Sequence, residues 1–350
     1  MGRSCDTSAR VDAVCHAMPG AAAEATTVPE LGAEISRQVG RVVPHDGYTL
    51  VAVDPVTRAY VFSVGEHSYS TRSQRRLAIE DAHRRDRHSF TQLVSGRRQV
   101  GVFGSGSPKE RDSEHQHDIL AAEGFGSEMR IALMHGGVLW GGMVLLRERS
   151  RTPFLPAEVQ QAERLARHIT FALQRFVSGK PLRPIRCGVA PGVALVGRDF
   201  EVKGVTPTGR DALRALVPPP GPADDEELFA LLWNVTHMAR SASGPALSRI
   251  PTPQGWIALH AQLLEGTAAG DVAVTIQPAA ADTLLPAVTA WYGITSREQA
   301  VIEQALQGLP VKQIARRLGL SPHTVNDHFK AIYRKTGVSG REELIVCLSG

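Results

Sequence analysis

The last sixty residues carry the clearest pattern of hydrophobic and polar positions in the chain, and this pattern predicts short helices in close succession. Thr295 and Glu298 have the spacing of a capping box, so a first helix is expected to begin at Ser296 and to end at Gly308. A second helix follows at once and ends at Gly319. The apolar positions that recur at helical spacing in these two helices are Val301, Ile302, Ala305, Leu306, Val311, Ile314, Ala315 and Leu318. Each helix therefore has one face suited to packing.

A third helix is predicted from Ser321, a good N-cap, with Pro322 at its first position, to about Thr336. On a wheel of about 100° per residue, its two sides differ in character. The apolar side consists of Val325, Phe329 and Ile332. The opposite, polar side consists of His323, Asn326, Asp327, Lys330 and Arg334. A tight turn followed by a helix with a bare polar side is the helix-turn-helix arrangement, which places its second helix in the major groove of DNA.

A fourth helix is predicted near the end of the chain. Ser339 and Glu342 repeat the capping-box spacing. The apolar positions that follow are numerous for a terminal helix, namely Leu344, Ile345, Val346 and Leu348. Such a helix is expected to need a partner surface.

Positive charge collects in the same part of the chain. Residues 292–350 contain eight Lys and Arg against five Asp and Glu, a net charge of +3, while the whole chain carries +4. Positive charge gathered on one module is the electrostatic pattern expected for phosphate binding.

The combined pattern closely resembles the four-helix DNA-binding domain of LuxR/FixJ-type regulators, over about the last sixty residues. The positions that carry the resemblance are Thr295, Arg297, Glu298, Val301, Ile302, Gly308, Ile314, Ala315, Leu318, Ser321, Thr324, Val325, His328, Ile332, Lys335, Gly337, Val338 and Arg341. The resemblance implies base contacts by Asn326, Asp327 and Lys330, and places Thr324, Lys312 and Lys335 near phosphates. With the polar side of the third helix and the basic face of the second, the predicted DNA-binding set is His323, Thr324, Asn326, Asp327, Lys330, Arg334, Lys335, Lys312 and Arg316. It also implies dimerisation through the fourth helix, at Leu344, Ile345 and Leu348.

Four positions depart from the family pattern. Asn326 stands where lysine is common, and its amide could pair bidentately with adenine. Asp327 could accept a hydrogen bond from cytosine N4 or could repel phosphate. Pro310 and Val311 replace the usual polar start of the second helix, which removes a side-chain cap. None of these changes is expected to break the fold.

Breaks in composition divide the rest of the chain, whose 350 residues suffice for two or three domains. The predicted fold class is a multidomain α+β chain that ends in an all-α four-helix domain. The segments are a disordered N-terminus at residues 1–24, a first domain at 25–178, a linker at 179–187, a middle domain at 188–280, a connector at 281–291 and the helix-turn-helix domain at 292–350.

The first domain is predicted to be a sheet with flanking helices. Residues 127–134 and 138–146 have the pattern of antiparallel strands joined at Gly136 and Gly137, and Pro156 begins a helix. Residues 139–146, 153–154 and 158–172 resemble the end of a GAF domain. The resemblance implies a sensory module that binds an unidentified small molecule or pairs with a second copy. No pocket residue is predicted, and no cofactor is expected.

The middle domain shows short strands at residues 193–196 and 201–205, a helix at 208–216, a second helix at 224–240 and strands at 255–264 and 271–277. This order resembles a PAS-like sensor fold. A helical pair on a small sheet accounts for the same pattern equally well, so both alternatives stay open.

Other function classes lack the residues that they require. No apolar run reaches the 18 or so residues of a membrane span, and no signal peptide or CxxC spacing is present. His83, His88, His115 and His117 lie in polar surroundings typical of a solvated surface rather than a metal site. We find no catalytic constellation, and Asp54 alone only superficially matches a phosphoacceptor, so neither an enzyme nor a response regulator is predicted.

The sequence therefore predicts a cytoplasmic, homodimeric transcription regulator that binds double-stranded DNA and acts on RNA polymerase, with no membrane partner. Its upstream domains are expected to respond to a small molecule or partner. The alternative is a constitutive regulator whose GAF-like domain serves only as a dimerisation scaffold.

Overall fold

The computed structural model describes residues 2–82, 90–104, 114–183, 190–217, 224–241, 245–252, 255–266 and 270–349. His83, His88 and residues 184–187 of the predicted linker lie outside this set, as do the side chains of His115 and His117. Among the described helices, none combines the length and apolar character needed to cross a membrane.

The first domain is an antiparallel five-stranded sheet in the order β2-β1-β5-β4-β3, with helices on both faces. Its elements are α1 (Gly2–Glu24), α2 (Val28–Gly40), β1 (Gly47–Val53), β2 (Tyr60–Glu66), α3 (Thr71–Ala82), α4 (Phe90–Ser95), β3 (Val100–Phe103), α5 (Glu114–Ala122), β4 (Phe125–His135), β5 (Val138–Glu148) and α6 (Pro156–Ser178). Two neighbouring glycines in β5 lie on opposite faces of this sheet, and each is covered by a different helix. Gly141 lies under Leu173 of α6, and Gly142 lies under the ring of Phe90 in α4.

The predicted hairpin of residues 127–134 and 138–146 is confirmed as β4 and β5, which pair from Phe125 to His135. Gly136 and Gly137 connect them with φ of 60° and 78°. Two successive positive φ angles belong to a type I′ turn, which glycine adopts without strain. The glycine pair therefore fixes the register of the central strands.

The prediction of disorder at residues 1–24 was wrong, because Gly2–Glu24 form the helix α1. Val11, Val14 and Met18 recur at helical spacing and are buried. They pack in the cluster that includes α6, and Asp12 accepts a hydrogen bond from Arg164 of that helix at 2.9 Å. The segment contains six alanines, which are good helix formers, and its apolar stripe meets a complementary helix, so α1 forms and packs.

The middle domain has its own hydrophobic core beneath a second five-stranded sheet, in the order β7-β6-β10-β9-β8. Its elements are β6 (Gly192–Val196), β7 (Val202–Val205), α7 (Pro207–Leu216), α8 (Asp225–Ala230), α9 (Trp233–Ser241), β8 (Ala246–Thr252), β9 (Gly255–Leu263) and β10 (Val272–Pro278). Counted within each domain, both sheets have the same strand order. The strand β8 was not predicted.

The predicted single helix at residues 224–240 was wrong in one respect, because it is divided into α8 and α9. The break at Leu231 and Leu232 lets Leu232 enter the core. It also lets Trp233 Nε1 donate to the carbonyl of Phe200 at 3.2 Å. Contacts with the sheet therefore override the continuous helical pattern.

Five helices complete the chain: α10 (Ala281–Trp291), α11 (Ser296–Leu306), α12 (Val311–Leu318), α13 (Pro322–Thr336) and α14 (Arg341–Ser349). The predicted connector is α10, and it is buried along much of its length. A single hydrophobic cluster runs from the first domain through α10 into the last four helices. At its centre Trp140 and Trp291 meet edge to face, with ring centroids 5.0 Å apart.

Residues 179–183 of the predicted linker also pack against the C-terminal helices. The carbonyl of Lys180 accepts a hydrogen bond from the Tyr292 hydroxyl at 2.9 Å. Leu182 is buried, and its amide donates to the carbonyl of Thr336 at 2.8 Å. The linker therefore ties the end of α6 to the end of α13.

Candidate nucleic-acid interface

The first helix of the C-terminal domain is fixed by a capping box, as predicted. The Thr295 hydroxyl accepts from the amide of Glu298 at 3.3 Å, and the Glu298 carboxylate accepts from the amide of Thr295 at 2.7 Å. Both hydrogen bonds satisfy backbone amides at the start of α11 that have no carbonyl partner within the helix. Helix α11 consequently begins at Ser296, as predicted.

The turn between α12 and α13 is tight. Gly319 adopts φ 65° and ψ 36°, and the amide of Leu320 donates to the carbonyl of Ala315 at 2.9 Å. This left-handed residue ends α12. The Ser321 hydroxyl then accepts from the amide of Thr324 at 3.0 Å and caps α13. The turn thus brings α13 into the second position of a helix-turn-helix.

The two sides of α13 separate as the wheel predicts. Val325, Phe329 and Ile332 are buried against α11 and α12. The polar side is open to solvent, since 86% of the His323 side chain and 75% of the Lys330 side chain are exposed. The remaining exposed side chains of that side are Asn326, Asp327 and Arg334. None of the described segments of the other domains covers this face.

Asp327 organises the exposed face. Its carboxylate lies 3.0 Å from His323 Nδ1 and 3.3 Å from Lys330 Nζ, one turn away on either side. Contacts at this spacing on an exposed helix stabilise it by only about 0.2–0.5 kcal/mol, so DNA phosphates can compete with Asp327 for the Lys330 ammonium and for a hydrogen bond from His323.

The second helix adds basic groups beside this face. Lys312 and Arg316 lie one turn apart on α12, and both are exposed. Thr324 is half-buried at the start of α13, where its hydroxyl lies 2.9 Å from the Ser321 hydroxyl. Thr324 lies in the first turn of α13, where the helix dipole favours an anion.

Lys335, which was predicted to contact a phosphate, makes its contacts within the fold in this structure. Lys335 Nζ lies 2.6 Å from a carboxylate oxygen of Glu298 and 2.8 Å from the carbonyl of Gly293, and the side chain is only 25% exposed. Burial raises the pKa of Glu298, but hydrogen bonds from Lys335 and Thr295 outweigh it, so the net shift of this pKa is downward. Lys335 is therefore engaged in tying the end of α13 to the start of α11.

The fourth helix, α14, was predicted to pair with a second copy through Leu344, Ile345 and Leu348. Leu344 and Leu348 are 1% and 0% exposed, because they pack in the core that α14 shares with α10 and α11. These two residues are therefore not available to a second copy in this structure. Ile345 is half-buried, and Val346 is 55% exposed. Val346, which was not among the predicted dimerisation residues, is the large apolar side chain that α14 presents to solvent.

The first domain contains a buried polar cluster that was not predicted from the sequence. Glu128 of β4 is buried, accepts a hydrogen bond from the Tyr69 hydroxyl and pairs with Arg130 on the same strand. All three lie on the sheet face that α3, α4 and α5 cover. The signal in the sequence is a Glu and an Arg two residues apart inside an otherwise apolar strand, which places both on one face.

Comparison with known proteins agrees with these two regions. Residues 293–348 match the sequence profile of GerE, the bacterial regulatory proteins of the luxR family, and residues 30–173 match that of the GAF domain. Over 51 residues, 15% of this chain, the sequence is 49% identical to the transcriptional regulatory protein UhpA of Escherichia coli. The match spans 26% of UhpA, about a quarter of its length.

Two solved structures align with low similarity. SdiA of Escherichia coli aligns with a TM-score of 0.37 and 14% identity, over 95% of this chain and 94% of that one. The GAF domain of a phosphoenolpyruvate-protein phosphotransferase from Coxiella burnetii aligns with a TM-score of 0.34 and 14% identity, over 49% of this chain and 96% of that one. By its two profile matches, this chain combines a C-terminal domain of the luxR family of bacterial regulatory proteins with a GAF domain nearer its N-terminus.

Proposed function

We propose that this protein is a sequence-specific, DNA-binding transcription regulator whose upstream domains control how its C-terminal domain engages DNA. The observation that carries the proposal is the exposed polar side of α13, held by a buried apolar side against α11 and α12. UhpA, the relative matched over the same segment, is a transcriptional regulatory protein.

In this proposal α13 enters the major groove and reads bases with Asn326, Asp327 and Lys330. Lys312, Arg316 and Arg334 neutralise phosphates on either side, and His323 and Thr324 lie at the leading end of the helix. Each neutralised phosphate releases counterions, so the logarithm of the affinity falls by about 0.9 per contact for each tenfold rise in salt.

The active form is a homodimer whose two recognition helices meet successive major grooves about 34 Å apart. Because Leu344 and Leu348 are buried, the pairing surface on α14 consists of its outer side, with Ile345 and Val346. The dimer acts on RNA polymerase in the cytoplasm, where the DNA is. No enzymatic activity is assigned to it.

For the first domain we favour a small-molecule sensor, and the middle domain serves as a second, PAS-like module. The buried Tyr69–Glu128–Arg130 cluster supports a polar ligand. Burying a charged group costs free energy unless the group is paired, and such groups concentrate at functional sites. The scaffold alternative also has an observation in its favour. Phe90 packs over Gly142 on the same sheet face and fills the space above that strand.

The DNA-binding proposal is tested by selecting bound duplexes from a random pool with the full chain. We expect enrichment of one motif repeated at a spacing of one helical turn or a multiple of it. Affinity for the selected duplex should then fall steeply between 50 and 200 mM salt. Enrichment of no motif, with affinity independent of salt, would contradict the proposal.

The two alternatives for the first domain are separated by native mass spectrometry of the full chain purified from its source. A retained small molecule that is lost in the Glu128→Gln variant supports the sensor. A ligand-free dimer, unchanged in mass and in DNA affinity by that substitution, supports the scaffold.

A further inference from the structure

A buried ion pair joins the first domain to the middle domain. Asp54 directly follows β1 in the first domain, and Arg249 lies on β8 in the middle domain. Arg249 Nε is 2.5 Å from one carboxylate oxygen of Asp54, and Arg249 Nη2 is 2.7 Å from the other. The Arg249 side chain is 2% exposed, and the Asp54 side chain is 0% exposed. The contact is thus bidentate and closed to solvent.

The same guanidinium reaches a third segment. Arg249 Nη1 donates to the carbonyl of Thr283 at 2.5 Å. Thr283 lies in the first turn of α10, the helix that leads into the DNA-binding domain. One side chain therefore connects the first domain, the middle domain and the connector.

The surroundings hold both ends of this junction firmly. Asp54 Oδ1 also accepts from the amides of Val56 and Thr57, at 2.9 and 3.1 Å, which fixes the turn before β2. Next to it, the amide of Tyr60 donates to Asn234 Oδ1 at 2.7 Å, and the Ser248 hydroxyl donates to the carbonyl of Tyr60. The junction lies where the edge strands β2 and β8 approach each other.

A buried ion pair is a poor source of stability but a strong constraint on geometry. Desolvation of both charges offsets most of their attraction, and an apolar contact of equal size often stabilises a fold as well. An apolar contact tolerates sliding, whereas a bidentate guanidinium and carboxylate have one arrangement in which both bonds form. The pair therefore specifies how the two domains and α10 are oriented.

The far end of α10 transmits this orientation. Trp291, in its last turn, packs on Trp140 of the first domain, and the adjoining Tyr292 and Ile294 belong to the same cluster as the helix-turn-helix core. The helix is held at its first turn by Arg249, along one side by the core that it shares with both neighbouring domains, and in its last turn by Trp140. These attachments leave the DNA-binding helices little freedom. Loss of the first attachment frees the N-terminal turn of α10, which precedes the internal Pro286.

We propose that Asp54 and Arg249 are positioning residues that set the orientation of the DNA-binding domain through α10. When the first domain moves at the Asp54 turn, Arg249 and the first turn of α10, which it holds through the carbonyl of Thr283, move with it. The orientation of the DNA-binding domain changes as a result, and so does the spacing of the two half-sites that a dimer binds. This inference rests on the proposed function, because it assigns a role in DNA binding to residues that do not touch DNA.

The test compares four variants of the full chain. Asp54→Asn leaves the Arg249 guanidinium without its carboxylate partner, and Arg249→Gln leaves the Asp54 carboxylate without its guanidinium partner. The double variant removes both charges. Arg249→Lys keeps a positive charge and so protects the fold, but one ammonium does not reproduce three fixed hydrogen bonds. The matched control is Asp271→Asn, because Asp271 is a buried carboxylate that binds Lys203 at 2.8 Å entirely within the middle domain.

Hydrogen exchange and DNA binding are the two readouts. We expect amides of α10 to exchange at least about tenfold faster in Asp54→Asn, Arg249→Gln and Arg249→Lys, and less so in the double variant. The same single variants should lose the preference of wild type between the selected duplex and one with its half-sites moved by half a helical turn. The control should match wild type in both readouts.

Unchanged α10 exchange in the variants would overturn the inference. So would faster exchange with an unaltered spacing preference, because a merely structural role predicts that result. If wild type selects no duplex, the proposed function fails by itself, and the exchange readout still decides whether the pair holds α10.

Discussion

At the residue scale, two lysines on α13 that look alike in the sequence have different roles. The exposed Lys330 ammonium contacts the Asp327 carboxylate on the same helix. The Lys335 ammonium instead donates to the Glu298 carboxylate and to the carbonyl of Gly293. The difference comes from the turn of the helix: position 335 points back toward the capped start of α11. A charge on the same helix is thus available to DNA in one case and committed to the fold in the other.

Substitution of each lysine separates these roles. Lys330→Ala should weaken binding of the selected duplex by about 1–3 kcal/mol if it reads a base, and leave unfolding within about 0.5 kcal/mol of wild type. Lys335→Ala should lower the free energy of unfolding by about 1–3 kcal/mol, because it strands the buried Glu298 carboxylate. Gel-shift titration and urea unfolding of both variants provide the measurements. The reverse pattern would exchange the two assignments.

At the element scale, α1 shows how a helix depends on what it packs against. The segment was predicted to be disordered, yet its apolar stripe lies against α6 and shares the core of the first domain. In proteins most helical stability comes from the packing of an apolar face rather than from propensity, so most of the stability of α1 comes from this contact. The apolar stripe therefore shows which side of α1 packs, and the alanines contribute to its helical preference.

The docking of α1 is tested by two substitutions one residue apart. Val14→Asp places a carboxylate in the buried contact with α6 and should lower the free energy of unfolding by about 2–4 kcal/mol. Ala13→Asp, on the exposed side of the same helix, should change it by less than about 0.5 kcal/mol. Urea denaturation followed by circular dichroism compares them. Equal, small effects would restore the prediction of a disordered N-terminus.

At the scale of the whole molecule, the two largest hydrophobic cores of the described residues divide the chain in an unexpected way. One core joins the GAF domain, α10 and the luxR-family domain, although these are far apart in sequence. The middle domain, which lies between them in the sequence, has a largely separate core and is attached mainly through β2, β8 and α3. The first and last domains are therefore joined through α10 and residues 179–183 rather than through the middle domain.

This arrangement predicts which parts unfold together. In calorimetry of the full chain we expect the first and last domains to share one transition. Trp291→Ala removes a buried ring that packs on Trp140, a change that typically costs about 3–5 kcal/mol, and should split off a separate, lower transition for the C-terminal helices. Trp233→Ala, a buried indole within the middle domain, serves as the control and should lower that domain's stability without the split. A split already present in wild type would contradict a shared core.

The sequence by itself determined the features that depend on neighbours a few residues away. The Thr295–Glu298 capping box, the left-handed Gly319, the Gly136–Gly137 turn and the two-sided wheel of α13 all act within one or two turns, so their residues specify the local structure directly. This is why the helix-turn-helix and the central hairpin of the GAF domain were predicted near their observed bounds. The predicted Ser339–Glu342 capping box was wrong, because the Ser339 amide and hydroxyl both donate to the Glu343 carboxylate.

Only the tertiary structure decided which side chains meet across long separations. The burial of Leu344 and Leu348, the Lys335–Glu298 clamp, the docking of α1 and the Asp54–Arg249 pair each join segments from 37 to 195 residues apart or depend on a distant helix. A periodic pattern tells which face of an element is apolar or charged. It does not tell which partner covers that face, because that depends on how the packed domains fill space.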